Sequence, residues 1–226
     1  MPATLTQRAI AELFGTFAFV FVGAGAVVAS AYISGSASIA LLLIALANGI
    51  GLAVAVSATM SISGGFLNPA VTIGALVAKK IKAAEALVYI LFEVIGAVLA
   101  AIIIFLAMPQ VSSAAASLGA PSLGAQTSVM QGIMLEAVGT FFLVLVVFGT
   151  AIDKKGPRLG GMAIGLTVTV GALAMGPFSG AMFNPARAAG PELVAQSFAN
   201  WYVWWIGPIV GAILAAVLYK YILKQV

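Results

Sequence analysis

The residues able to do chemistry in this chain are few, and their spacing singles them out. Asn68-Pro69-Ala70 lies inside Ser63-Gly-Gly-Phe-Leu-Asn-Pro-Ala-Val, and Asn184-Pro185-Ala186 lies inside Gly180-Ala-Met-Phe-Asn-Pro-Ala-Arg, 116 positions later (184 − 68). Asparagine caps helix N-termini well, and proline suits the first helical position, where its missing N–H loses no bond. Each tripeptide therefore predicts a helix start. Only about 11 residues separate Asn68 from Lys79-Lys80, roughly 16 Å of helix, or half of a ~30 Å hydrocarbon core. Around them stand Arg187, three residues past the second Asn, and the carboxylates Glu12, Glu93 and Glu136. There is no His and no Cys. That removes the commonest general base, thiol chemistry and the usual soft metal ligands, so neither an enzyme site, a metal site nor a cofactor is expected.

Composition says where these residues sit. Of 226 residues 63% are hydrophobic and 7% charged, with a mean hydropathy of +1.19. A soluble domain carries about 25% charge, so the chain is an integral membrane protein and no nucleic-acid partner is expected. Apolar runs at about 9–31, 38–60, 83–107, 130–151, 160–177 and 200–223 predict six spans. The first superficially resembles a signal sequence, but it is longer, carries Glu12, and has a counterpart later in the chain. The fold class predicted is all-α: six transmembrane helices plus two half-helices. The irregular stretches ahead of the half-helices are placed at Ser61–Leu67 and Pro177–Phe183. Such backbone is tolerated at membrane depth only where it is buried in protein or lines a wet cavity.

The chain also repeats itself. Ala11-Glu-Leu-Phe-Gly-Thr-Phe17 opens the first span and Leu135-Glu-Ala-Val-Gly-Thr-Phe141 the fourth, with an offset of 124 between the Glu residues (136 − 12). Three spans per half is an odd number, so the second half must be inverted relative to the first, a 3+3 arrangement. We expect one channel domain over 1–226, with repeats at about 1–107 and 128–226 and a linker at about 108–127. Nine of the ten basic residues (Arg8, Lys79, Lys80, Lys82, Lys154, Lys155, Arg158, Lys220, Lys224) fall at one end of this layout. The positive-inside rule then puts both termini in the cytoplasm. The tenth, Arg187, belongs to no cytoplasmic loop. If each Asn side-chain oxygen caps its half-helix, its NH₂ is left to donate into a lumen at which two positive helix ends also point.

On these residues the chain resembles the major intrinsic protein family, the aquaporins and glycerol facilitators. The resemblance rests on the Glu12 and Glu136 boxes, both Asn-Pro-Ala boxes, Arg187, Ser179-Gly180, Gly190-Pro191 and Trp205-Ile-Gly-Pro208, and it covers nearly the whole chain. It implies an aquaporin-like fold, a homotetramer with a pore in each subunit, and a passive channel for water and small neutral solutes in a cell (plasma) membrane. By similarity Asn68, Pro69, Ala70, Asn184, Pro185 and Ala186 form the central constriction that excludes protons and cations. Glu12 and Glu136 match the family's buried carboxylates, which accept backbone N–H groups of the half-helix loops. Arg187 matches the filter arginine, and counting back without gaps puts the other filter positions on Asn48, Ala172 and Ala181. Water-selective members tend to have an aromatic and a His at the first two of these. Asn48 and Ala172 predict a wider filter, with glycerol the leading solute. Other features pull the other way: Ala188 stands where glycerol facilitators have Asp, and Trp204-Trp205 looks aquaporin-like. Glu93 replaces the family's usual Gln and is expected to be structural, while Glu192 fits neither subfamily. A strictly water-selective channel and a coupled transporter titrating at Glu93 are the alternatives. The short chain points to a bacterial or archaeal source.

Overall fold

The computed structural model describes residues 2–33, 35–153, 155–157 and 159–223. Of the basic residues used to orient the chain, Lys154, Arg158 and Lys224 lie outside the described residues. Among the described residues six helical stretches are long and apolar enough to span: α1 (Leu5–Ile33), α2 (Ala37–Ser63), α4 (Ala83–Ala107), α6 (Val129–Val147) with its extension to Ile152, α7 (Gly160–Ser179) and α9 (Val203–Leu218) with its extension to Leu223. Two more are short, α3 (Pro69–Val77) and α8 (Pro185–Ala195), and a small α5 (Gln110–Ala115) sits between the halves. Both α6 and α9 continue as a π-helical turn, Phe148–Ile152 and Tyr219–Leu223. Among the described residues there is no strand. Large apolar side chains face outward on these helices, including Phe14, Val54, Leu87, Leu106 and Phe142. Soluble monomers rarely leave so many large apolar side chains uncovered.

The packing is paired. α1 packs on α4 as α6 packs on α9, and α1 on α2 as α6 on α7. Each half-helix packs on the third long helix of the other half, α3 on α9 and α8 on α4, while α2 and α7 meet across the middle. Lipid tails are as apolar as these side chains, so close van der Waals approach has to hold the helices together. Glycine provides it: a Cβ on Gly165 would fall on the carbonyl oxygen of Gly49, and one on Gly211 on the carbonyl oxygen of Ala137. At one end Arg8 pairs with Glu85, tying the start of α1 to the start of α4.

Three expectations about the backbone need correction. α2 runs through Ser61 to Ser63, and α7 runs through Pro177 to Ser179. The irregular stretches are therefore only Gly64–Leu67 and Gly180–Phe183. The terminators are glycines, not the preceding Ser or Pro: Gly64 (φ 100°) and Gly180 (φ 84°) adopt the left-handed conformation, and each donates its N–H to the carbonyl four residues back. That cap costs glycine nothing and other residues about 1 kcal/mol or more. Third, the 108–127 stretch is not a plain linker. It folds into α5 and a 3₁₀ turn at Ser117–Gly119 that packs on α1 and α8, burying Leu118 and Gly119.

Candidate functional site

The half-helices begin where their sequence places them. Asn68 and Asn184 are extended at the N-cap. Asn68 Oδ1 accepts from the Ala70 N–H (2.9 Å), and Asn184 Oδ1 accepts from Ala186 (2.9 Å) and Arg187 (3.2 Å). Pro69 and Pro185 occupy the first helical position, with Ala70 and Ala186 fully buried behind them. The Asn side-chain NH₂ groups do not simply face a lumen, as expected. Asn68 Nδ2 donates to the Phe183 carbonyl (2.9 Å), and Asn184 Nδ2 donates to the Leu67 carbonyl (2.8 Å). One N–H of each amide thus ties the two loops together, and one remains free. The two capped N-termini meet at a reciprocal pair of hydrogen bonds.

The loops ahead of each Asn are held in backbone conformations that most side chains avoid. Leu67 (φ 52°), Ala181 (φ 49°) and Phe183 (φ 52°) all have positive φ. Such residues persist only where the surroundings over-determine them. Glu12 is fully buried and accepts from the N–H groups of Phe66 (3.1 Å) and Leu67 (2.6 Å). Glu136, equally buried, accepts from Met182 (3.0 Å), Phe183 (2.8 Å) and the Ser179 hydroxyl (2.8 Å). The correspondence continues outward. Ser63 Oγ and Ser179 Oγ each accept from the N–H two residues on. The Tyr89 hydroxyl on α4 donates to the Ser63 carbonyl, and the Trp204 indole on α9 donates to the Ser179 carbonyl. Glu93 lies beside the first half-helix and accepts from the Thr72 hydroxyl (2.7 Å).

Near α8 a cavity of about 550 Å³ opens, and Asn48, Ala172, Ala181 and Arg187 all line it. Arg187 is 1% exposed. Its Nε donates to Asn48 Oδ1 (3.2 Å), its Nη1 to the Gly119 carbonyl (3.0 Å), and its Nη2 has no hydrogen-bond partner. No carboxylate pairs with it among the described residues. Asn48 is itself fixed, because its Nδ2 donates to the carbonyls of Ile44 (2.8 Å) and Gly23 (3.3 Å). A guanidinium held by an amide oxygen and a carbonyl keeps its full positive charge. Ala172 and Ala181 add only short apolar side chains to this lining. Gly119 is the member that sequence reasoning missed. It acts through a backbone carbonyl, which leaves no side-chain signature, and its position depends on a turn read as linker.

Among the described residues no group of three or more His, Cys, Asp or Glu could hold a metal. What the arrangement offers is hydrogen bonding and fixed positive potential.

Comparison with known proteins agrees with this geometry. The family profile described as "MIP: Major intrinsic protein" matches residues 2–219. The chain is 39% identical over 169 residues to "Probable aquaporin TIP3-2" of Arabidopsis thaliana, a match covering 74% of this chain and 61% of that protein. It is 36% identical over 163 residues to "Aquaporin-4" of Mus musculus, covering 71% of this chain and 50% of that protein. The chain thus spans about three-fifths or less of the length of these relatives. They come from a plant and a mammal, which gives no support to a bacterial or archaeal source. Among solved structures, the X-ray structure of the aquaglyceroporin from Plasmodium falciparum superposes with a TM-score of 0.85 over 97% of both chains, at 20% identity. That likeness shows the fold.

Proposed function

The chain belongs to the major intrinsic protein family, a family of non-enzymatic multi-pass membrane channels, and we propose that it conducts water and small neutral solutes such as glycerol while excluding protons and ions. The observation that carries the solute range is that the 550 Å³ cavity brings together Arg187 and Asn48, hydrogen-bonded to each other, with two small residues, Ala172 and Ala181. A buried arginine with no counter-charge repels cations. The guanidinium charge and Asn48 Oδ1, which has acceptor capacity left, favour hydroxyl-bearing solutes over apolar ones. Two alanines leave room for a carbon backbone.

Further in, the solute reaches the two half-helix N-termini. In this reading the roles are those of a central constriction: Asn68 and Asn184 each donate their remaining N–H to a passing oxygen, and the two positive helix ends oppose any cation. Pro69, Ala70, Pro185 and Ala186 set the position of those ends. Glu12 and Glu136 act at one remove by holding the loops. We read the matching contacts of the two halves as an inverted repeat, about 1–107 and 128–226, within one channel domain. A cell-membrane location with cytoplasmic termini, and a homotetramer, complete the proposal.

Liposome light scattering tests it. Proteoliposomes should shrink fast under a sucrose gradient, and under a glycerol gradient should shrink and then reswell fast. Fast water flux without glycerol entry would indicate a strictly water-selective channel. Absence of water flux from folded protein would remove the channel reading altogether. Arg187→Val should retain water flux and lose part of the discrimination against protons, read with an entrapped pH dye.

A further inference from the structure

Glu192 takes no part in the pore. It lies five residues past Arg187 on α8, roughly 140° round the helix, and does not line the Arg187 cavity. It lines instead a separate cavity of about 340 Å³, together with Val94 of α4, Leu193 of α8, and Phe198, Trp201 and Trp205 near the start of α9. The residue is only 3% exposed, and its Oε1 is buried without a hydrogen-bond partner. No lysine or arginine lines this cavity. A carboxylate so placed, with neither donor nor counter-charge, is several kcal/mol worse off than in water. Phe198 and Trp201 are each 49% exposed, so the cavity opens to the surroundings of the protein.

We propose that this cavity binds the quaternary ammonium of a choline phospholipid headgroup. Aromatic faces attract cations, and best those whose charge is spread over methyl groups. Glu192 supplies the counter-charge. A primary ammonium would bring three N–H donors to a wall that is otherwise almost wholly apolar, whereas a trimethylammonium brings none. The depth agrees with a headgroup. Glu192 lies eight residues beyond Asn184 along α8, about 12 Å of rise, against about 15 Å for half a hydrocarbon core. Trp201 and Tyr202 stand at the start of α9 as interfacial aromatics do. The phosphate of the headgroup meets no cation in this wall and stays in water.

The test uses the tryptophans as reporters. Trp201 and Trp205 line the cavity, and Trp204 is buried elsewhere. Whole protein in maltoside micelles is titrated with dihexanoylphosphatidylcholine, with dihexanoylphosphatidylglycerol and with tetramethylammonium chloride. The expected result is a saturable change in tryptophan emission with the choline lipid, absent with the glycerol lipid. Glu192→Gln should weaken that binding by at least about tenfold, with water flux unchanged and the melting temperature not lowered. Should E192Q fail to fold, Trp201→Leu gives the same arm at a half-exposed position, with Trp205 reporting and the same loss expected. Equal saturation by the glycerol lipid would reduce the site to an apolar groove and overturn the proposal. Tetramethylammonium binding as tightly as the lipid would overturn the lipid assignment in favour of a free cation. Unweakened binding to E192Q would overturn the role of the carboxylate, and no response to any ligand would overturn the site.

Discussion

Asn48 combines two duties in one side chain. Its amide NH₂ is anchored on the carbonyls of Ile44 and Gly23, which aims its oxygen at Arg187 Nε. Hydrogen bonds to a charged group contribute about 1.5–3 kcal/mol, so Asn48 fixes where the guanidinium sits while staying small enough to leave the cavity open. The two duties separate by substitution. Asn48→Phe removes the acceptor and adds a ring to the cavity, so glycerol reswelling should fall by at least about tenfold, a barrier increase of about 1.4 kcal/mol, and water flux by less. Asn48→Ala removes the same acceptor without adding bulk, and glycerol entry should then be unchanged or faster. Equal loss of glycerol entry in both variants would mean that Arg187 placement, not width, limits the solute. Arg187 could be picked out from its spacing to Asn184. Its second anchor, the Gly119 carbonyl, could not, since a carbonyl acts through the path of the chain and every residue type has one.

Between elements, what matters is how irregular loops are held inside an apolar bundle. The Asn-Pro-Ala starts and six spans were readable because each depends on local residue type: cap, missing N–H, apolar run; the loop-holding role of Glu12 and Glu136 came only from the family resemblance. The end of α7 was misjudged because Pro177 sits within its last turn, where a proline usually marks a break; in α7 as in α2 a left-handed glycine, Gly180 or Gly64, sets the true end. Glu136 carries the heaviest load, with two N–H groups and one hydroxyl donating to it in a loop that includes Ala181 and Phe183 at positive φ. Glu136→Ala leaves two buried donors and a half-buried one unpaired, each buried donor worth about 1–3 kcal/mol. A loss of about 3 kcal/mol or more is expected, seen as a lower melting temperature in detergent together with lost water flux; an unchanged melting temperature would show that water enters and replaces the carboxylate. The α2–α7 contact gives a second case. Gly165→Ala places a methyl on the Gly49 carbonyl oxygen and Ala53, an overpacking of about 1–3 kcal/mol. Gly35→Ala, whose Cβ would meet nothing closer than Ile39 Cγ2 at 3.9 Å, should melt like the parent protein.

For the whole molecule, the question is which way it faces. Odd numbers of spans per half mean that the two half-helices enter from opposite sides, and this is what lets their positive ends oppose one another at mid-depth: two half-helices entering from the same side would lie side by side, with both N-termini aimed one way. The same inversion predicts the sidedness of every loop, and the basic residues say which side is which. The chain has no cysteine, so single cysteines can be introduced against a silent background. Gly35 and Ser122 are exposed in loops with no Lys or Arg, whereas Thr4 and Lys155 are exposed at the basic end. In intact cells a membrane-impermeant maleimide should label Gly35→Cys and Ser122→Cys, and should reach Thr4→Cys and Lys155→Cys only after permeabilisation. The opposite pattern would keep the inverted repeat and reverse the orientation. Labelling of Gly35→Cys from one side and Ser122→Cys from the other is the outcome that breaks the fold reading itself, because loops after the first and third spans must share a side if both long connections cross the membrane once per helix. The orientation decides, in turn, which leaflet meets Glu192 and from which side a solute first encounters Arg187.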